Sequence, residues 1–317
     1  MTAQLVENFL QALFAGLTVG SIYGLMCVGL ALIFGVMRVI NFAQGEFMML
    51  GMYGAFYIFT VFGIQSAFGS IIGPYLAALL AGPLLFCVGY VVHGTLIARV
   101  SGTRAQVEGE GHYAQLILTL GISLIVQSLG LIAFGSILVS VRTPLSASAW
   151  ELGPLWGDIV SIFINKSRGI SALISIATIV ALTFLINRSR LGKSLRAAAD
   201  NPEAATYMGI DVNRAHRLAF ALGVGVTAIA GGLLATNYPF HPYVGLEYVI
   251  IMYAGVVLGG LGSIIGPFWG GMTIGLVQQL STLVLPTQLQ NTAIFVVFLL
   301  IVFFLPQGFF GRVVERT

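Results

Sequence analysis

Along the chain, apolar runs long enough to cross a membrane alternate with polar interruptions, and one polar run is much longer than the others. A spanning helix needs roughly 20 apolar residues. The runs 9–36, 47–63, 67–98, 114–140, 171–187, 218–236, 248–266, 268–285 and 292–305 come close to that length. The pattern predicts an all-α polytopic integral membrane protein with about eight or nine transmembrane helices, some of them broken or re-entrant. It also predicts a single transmembrane domain over residues 1–317. Residues 1–7 lack Lys and Arg, unlike the basic start of a cleaved signal peptide, so the first run is expected to be kept as a span. Gly16, Gly20 and Gly24 recur at intervals of four within it and predict a helix face that another backbone can approach closely.

The long polar run covers residues 188–217 and holds Arg188, Arg190, Lys193, Arg196, Arg214 and Arg217. Short loops rich in Lys and Arg stay on the cytoplasmic side, which places this loop in the cytosol. Arg99 and Arg104 place 99–112 there too, and Arg312 and Arg316 do the same for the C-terminus. Alternation of spans then puts 141–168 and 237–247 outside, although the former holds Arg142, Lys166 and Arg168. Trp150 and Trp156 suit a membrane interface. Within the 188–217 loop, Asn201 is a good N-cap, Pro202 fits the first helical position and Glu203 favours the positive end of the dipole. Gly209 is a natural stop. A helix of about two turns is too short to persist alone in water. It is either a stray turn in a solvated loop or an element that docks on a cytoplasmic partner.

A second interruption, Arg38-Val-Ile-Asn-Phe-Ala-Gln-Gly-Glu46, places Asn41, Gln44 and Glu46 between apolar flanks. It reads as a loop at the membrane surface or as a helix broken inside the membrane, where polar groups are tolerated only against protein or a watery cavity. The apolar flanks favour the broken helix. Gln127, alone in its span, is expected to hydrogen-bond another helix. A Gly-rich polar interruption in each half of the chain is compatible with an internal repeat.

Composition narrows the function classes. The chain of 317 residues is 58% hydrophobic, carries only 8% charged residues and has 40 glycines. Soluble domains carry about 25% charge. A net charge of +3 does not point to nucleic acid. Cys27 and Cys87 lie in apolar segments and read as buried small hydrophobes. His93, His112, His216 and His241 fall in unrelated segments, so no catalytic constellation is visible. His241 and Glu247 make no metal-ligand set and read as part of a polar loop. Gly259, Gly260, Gly262 and Gly266 are not followed by Lys-Ser or Lys-Thr, so they form no phosphate-binding loop and instead predict a tight turn between spans.

Four motifs resemble one family. Glu203-Ala204-Ala205, with Gly209 after three more residues, resembles the start of the EAA loop of ABC importer permeases, without its downstream Ile-x-Leu-Pro. Ile40-Asn-Phe-Ala-Gln-Gly-Glu46 followed by Gly51 is similar to the signature of branched-chain amino-acid ABC importer permeases, with Gln44 where that family usually has His. Leu258-Gly-Gly-Leu-Gly-Ser-x-x-Gly266 and Pro306-Gln-Gly-Phe-Phe-Gly311 resemble two further family features, with Phe309 where Leu is common. The resemblance implies a permease subunit in the bacterial plasma (inner) membrane, part of an ATP-driven importer of branched-chain or hydrophobic amino acids. Urea, short amides and other small organic acids are the alternative substrates, and an ion-coupled secondary transporter is the rival class. It implies a heterodimer with a paralogous second permease subunit, two cytoplasmic ABC ATPase subunits that bind ATP and Mg, an extracytoplasmic substrate-binding protein and contact with membrane lipid. No cofactor, metal or nucleic acid is expected on this chain. Glu203, Ala204, Ala205 and Gly209 are the expected coupling residues, and Asn41, Gln44 and Glu46 the expected translocation path.

Overall fold

In the computed structural model of the chain, residues 2–100, 111–141, 143–155, 160–260, 265–305 and 308–310 are described. Arg104, Arg142, Trp156, Gly262, Pro306, Arg312 and Arg316, all used above, lie outside them. The helices in chain order are α1 (Thr2–Met37), α2 (Gln44–Thr60), α3 (Ile64–Val92), α4 (Gly111–Phe134), α5 (Lys166–Arg188) and α6 (Arg190–Asp200). They continue with α7 (Pro202–Tyr207), α8 (Val212–Ala235), α9 (Val244–Gly259), α10 (Gly266–Ser281) and α11 (Gln290–Phe304). A π-helical turn, His93–Ile97, extends α3. Between α4 and α5 stands an antiparallel hairpin of β1 (Ala149–Leu155) and β2 (Val160–Asn165).

Among the described residues five helices are long and apolar enough to cross a membrane: Gln4–Met37, Ile64–Val100, Tyr113–Phe134, Lys166–Arg188 and Val212–Ala235. The remaining apolar elements are shorter, with 17 residues in α2, 16 in α9, 16 in α10 and 15 in α11. At 1.5 Å per residue such helices reach about 22–26 Å, less than the hydrocarbon thickness of about 30 Å. The expected eight or nine spans are thus five long helices and four short ones.

The longest apolar windows of α1 and α8 are each 83% buried, against 22% for α4. The core therefore sits on the α1/α8 pair, which crosses antiparallel with Gly29 against Thr227 and the Gly223 carbonyl. A Cβ on Gly223 would meet the Gly29 oxygen at 2.5 Å, so backbone lies on backbone here. The predicted glycine stripe does pack a helix, with Gly16 against Leu276, Gly20 against Met272 and Gly24 against Phe268 of α10. In the same antiparallel sense, Gly82 of α3 meets Ile229 and Gly89 meets Ala221 and Val224 of α8.

These contacts expose a repeat that the sequence only hinted at. Each half consists of a long helix, a break, a short helix and a third helix that packs on the long helix of the other half. Gly45, Met52 and Tyr53 of α2 recur as Gly245, Met252 and Tyr253 of α9. Gly73-Pro74-Tyr75 and Gly82 of α3 recur as Gly266-Pro267-Phe268 and Gly275 of α10. Because α1 and α8 run antiparallel, the two halves are inverted relative to each other. Their short helices start together, Gly45 lying against the Gly245 carbonyl.

The helix α5 carries the chain about 34 Å from the hairpin to α6, so these elements mark opposite faces. At the hairpin face, Gln11 of α1 clamps the β2 backbone, donating to the Phe163 carbonyl at 2.8 Å and accepting from the Phe163 N–H at 3.1 Å. At the other face, Arg38 donates to the Ala199 carbonyl of α6 at 3.3 Å. Residues 261–264 of the predicted tight turn after α9 lie outside the described residues, but its start is held by the end of the chain. The Phe309 N–H donates to the Leu258 carbonyl at 2.8 Å, and a Cβ on Gly308 would lie 2.7 Å from the Gly260 nitrogen, so the last two sequence motifs meet backbone to backbone.

Three expectations are corrected. Within the stretch 141–168 expected as an outer loop, Ala149–Leu155 and Val160–Asn165 pair as strands and Lys166 already opens α5. Gln127 lies half-buried on α4 and hydrogen-bonds no described residue; Ser123, one turn earlier, faces the centre of the protein instead. Cys87 is exposed, on the outer face of α3, while Cys27 is buried as expected.

Candidate functional site

The polar interruption after α1 is not a surface loop. Helix α1 stops at Met37, Arg38 takes a left-handed φ of 53°, and the chain turns inward before α2 begins. Asn41, Gln44 and Glu46 are 1%, 0% and 1% exposed. The break lies inside the protein, with all three side chains buried and Asn41 bonded to Gln44, as the broken-helix reading expected.

Their hydrogen bonds distinguish them. The Asn41 amide donates to Gln44 Oε1 at 2.9 Å, and its oxygen accepts from the Ala43 N–H at 3.1 Å. Gln44 Nε2 donates to the Gly223 carbonyl at 3.2 Å and to Thr227 Oγ1 at 2.6 Å. Gln44 therefore fastens the start of α2 to the middle of α8, and Asn41 holds Gln44 in place. Glu46 differs. Its Oε1 accepts a long 3.5 Å bond from Ser123, and its Oε2 is buried without a partner. The carboxylate sits in the first turn of α2, where the helix dipole favours negative charge. Gly245, at the start of α9, packs directly on it, and a Cβ there would lie 2.7 Å from Glu46 Oε2. The centre of the molecule is thus a buried acid at the paired N-termini of two half-length helices.

At the α6/α7 face the local caps form as the sequence predicted. The Ala204 N–H donates to Asn201 Oδ1 at 3.0 Å, Pro202 opens α7, and Gly209 ends it with φ 80°. The Ile210 N–H donates to the Ala205 carbonyl at 2.9 Å. Glu203, Ala204 and Gly209 are exposed while Ala205 is buried beneath them. Tyr207 and Met208 were not singled out from the sequence, yet they are 87% and 83% exposed and form an apolar knob at the end of α7. Helix α6, also missed, is capped by Ser189, which accepts from the Gly192 N–H at 3.0 Å. It buries Gly192, Leu195 and Ala198. Arg196 donates to the Asn187 carbonyl of α5 at 3.4 Å, and together with Arg38 it ties α6 to α5 and α1 around a cavity of about 620 Å³.

His93 and His216, read as unrelated, are both buried where α3 meets α8, with His93 against the Phe220 ring at 5.6 Å. No group of three or more His, Cys, Asp or Glu poised for a metal ion occurs among the described residues.

Long apolar helices, half-length inverted helices meeting at a buried acid, and a capped polar helix projecting from one face define a polytopic membrane protein of the transport class. The chain belongs to the family of permease components of branched-chain amino acid transport systems, whose family model matches residues 12–305. It is 30% identical over 308 residues, 96% of each chain, to the high-affinity branched-chain amino acid transport system permease protein LivH of Salmonella typhimurium. It is 29% identical, over 97% of each chain, to BraD, a permease protein of the same description from Pseudomonas aeruginosa. It is 26% identical to the D-allose transport system permease protein AlsC of Escherichia coli, over 75% of this chain and 73% of that one. No solved structure matches the chain.

Proposed function

We propose that the chain is the membrane-spanning subunit of an ATP-driven importer of branched-chain or other hydrophobic amino acids in the bacterial plasma membrane. It pairs with a paralogous permease, docks one of two cytoplasmic ATPase subunits at the 188–217 segment, and receives substrate from an extracytoplasmic binding protein. The observation that carries this reading is α7. A short helix with both ends capped presents Tyr207 and Met208 almost fully to solvent, beside the exposed Glu203, Ala204 and Gly209. Exposed apolar side chains on an otherwise polar segment suit a partner's groove.

Movement of a docked ATPase reaches the transport path through α6. Ala199 holds Arg38, and Arg38 is the left-handed residue from which the 38–43 break departs. A shift of α6 then alters the break that positions Gln44 and Glu46. For such coupling, α7 must favour one ATPase conformation over another. Among the path residues Glu46 is the one with free hydrogen-bonding capacity, while Asn41 and Gln44 hold the break in shape. The chain itself supplies no nucleotide chemistry in this reading; ATP and Mg belong to the partner subunits.

Leucine uptake into membrane vesicles tests it. Uptake should require ATP and the binding protein and survive dissipation of the proton and sodium gradients. Uptake that runs without ATP and collapses with the ion gradient would replace this reading with an ion-coupled carrier using Glu46.

A further inference from the structure

A second cavity, of about 330 Å³, opens on the hairpin face, at the opposite end of α5 from α6. Four side-chain amides of α10 and α11 line it, together with Arg168, Tyr238, Glu247, Tyr23, Tyr248 and Ile251. The named residues come from α1, the first turn of α5, the segment after α8 and the start of α9, so no stretch of sequence reveals them as a group.

Two features set this cavity apart. Arg168 and Glu247 carry opposite charges into one small space, yet they form no salt bridge with each other, and neither side chain hydrogen-bonds a described residue. The Arg168 guanidinium lies over the Tyr238 ring, 5.3 Å from its centroid, and its backbone N–H is bound at 3.2 Å to the Asn165 cap of α5. Glu247 stands in the first turn of α9, and Ile251 follows it four residues later on the same helix face. Tyr23 and Tyr248 meet edge to face at 6.0 Å and complete an aromatic wall.

We infer that this cavity is a reception site for the zwitterionic head of an α-amino acid, with Arg168 binding the α-carboxylate and Glu247 the α-ammonium. The planar guanidinium is matched to a carboxylate, which it can bind through two parallel hydrogen bonds. A carboxylate such as Glu247 is the natural partner of an ammonium group. A sugar or urea would leave both charges unanswered. Glu247 stands two residues from Gly245, whose backbone rests on Glu46. A substrate that draws on Glu247 therefore acts on the helix that abuts the central acid. This inference rests on the proposed amino-acid transport function and specifies the chemistry of its entrance.

The test is equilibrium binding of tritiated leucine to the full chain, purified with the subunits that accompany it and placed in phosphatidylcholine nanodiscs without binding protein. Leucinamide, which lacks the carboxylate, and 4-methylpentanoate, which lacks the ammonium, serve as competitors. Each should compete roughly tenfold or more weakly than leucine, the size expected when one charge-assisted contact is lost. Arg168→Gln should abolish the preference over leucinamide, and Glu247→Gln the preference over 4-methylpentanoate. Arg168→Lys, which keeps the charge, should restore part of the preference and separates a lost contact from a misfolded protein. Absence of saturable leucine binding in the wild type, or equal competition by both analogues, would overturn the site. ATP-dependent vesicle uptake alongside such a result would leave the importer reading standing. Leucine binding with both charge preferences but without ATP dependence would do the reverse.

Discussion

At the scale of single residues, two kinds of side chain sit at the centre, and they fail differently when changed. Gln44 bonds the Gly223 carbonyl, Thr227 and Asn41. Gln44→Ala strands those buried partners at about 1–3 kcal/mol for each unsatisfied group, so the protein should melt several degrees lower in detergent. Gln44→His, which restores a polar ring at this position, should fall between wild type and Ala. A side chain on Gly245 would meet the Glu46 carboxyl, the end of a buried side chain that must move to admit it. Gly245→Val should destabilise by about 1–3 kcal/mol through overpacking and separate the starts of α2 and α9. Gly121, in α4, has nothing within 4 Å of a Cβ position, so Gly121→Ala should be neutral or slightly stabilising in the same melt. Equal losses at the two glycines would contradict the packing described. Asn41, Gln44 and Glu46 could be picked out in the sequence because three polar residues in an apolar stretch demand an explanation. Arg168 and Glu247 could not. Each sits beside other polar residues near a loop, and only the fold puts them in one cavity.

At the scale of elements, legibility follows the range of the interactions that define them. Helix α7 was readable to within a residue because Asn201, Pro202 and Gly209 act on their own backbone neighbours. Helix α6 was not, since its basic and alanine-rich sequence reads as a polar loop until Leu195 and Ala198 find α1 and α5 to cover them. The hairpin at 149–165 was hidden for a similar reason. Its strands are held to α1 by Gln11, and its β2 alternation is only a few residues long. The caps give a test at this scale. Asn201→Ala removes the bond to the Ala204 N–H, a loss of about 1 kcal/mol from a helix with little stability of its own. Leucine uptake should fall while the amount of protein in the membrane, read by immunoblot, stays unchanged. Unchanged uptake would mean that the shape of α7 is immaterial.

For the whole molecule, the inverted repeat accounts for features that the spans alone leave unexplained: why α2 and α9 are too short to cross, why both begin at the same buried acid, and why α1 and α8 are the most buried long helices. In the sequence it showed only as a Gly-rich interruption in each half, because the two halves keep glycines and a few aromatics at helix crossings and little else. The proposed orientation, with α7 in the cytosol, predicts sidedness. Single cysteines placed at Tyr207 and at Tyr243, in a background without Cys27 and Cys87, should react with a membrane-impermeant maleimide from opposite sides, Tyr207→Cys only after the cytoplasmic face is opened. The central claim is that this permease is driven by ATPases seated on α7. Its most direct test is an affinity pull-down from the native membrane, comparing wild type with Gly209→Trp, a change that forces a bulky side chain into a left-handed backbone with φ 80°. Two ATPases and a second permease should accompany the wild type, with the ATPases lost and the second permease retained in the variant. ATPases absent from both samples after mild crosslinking, or recovered equally from both, would contradict it.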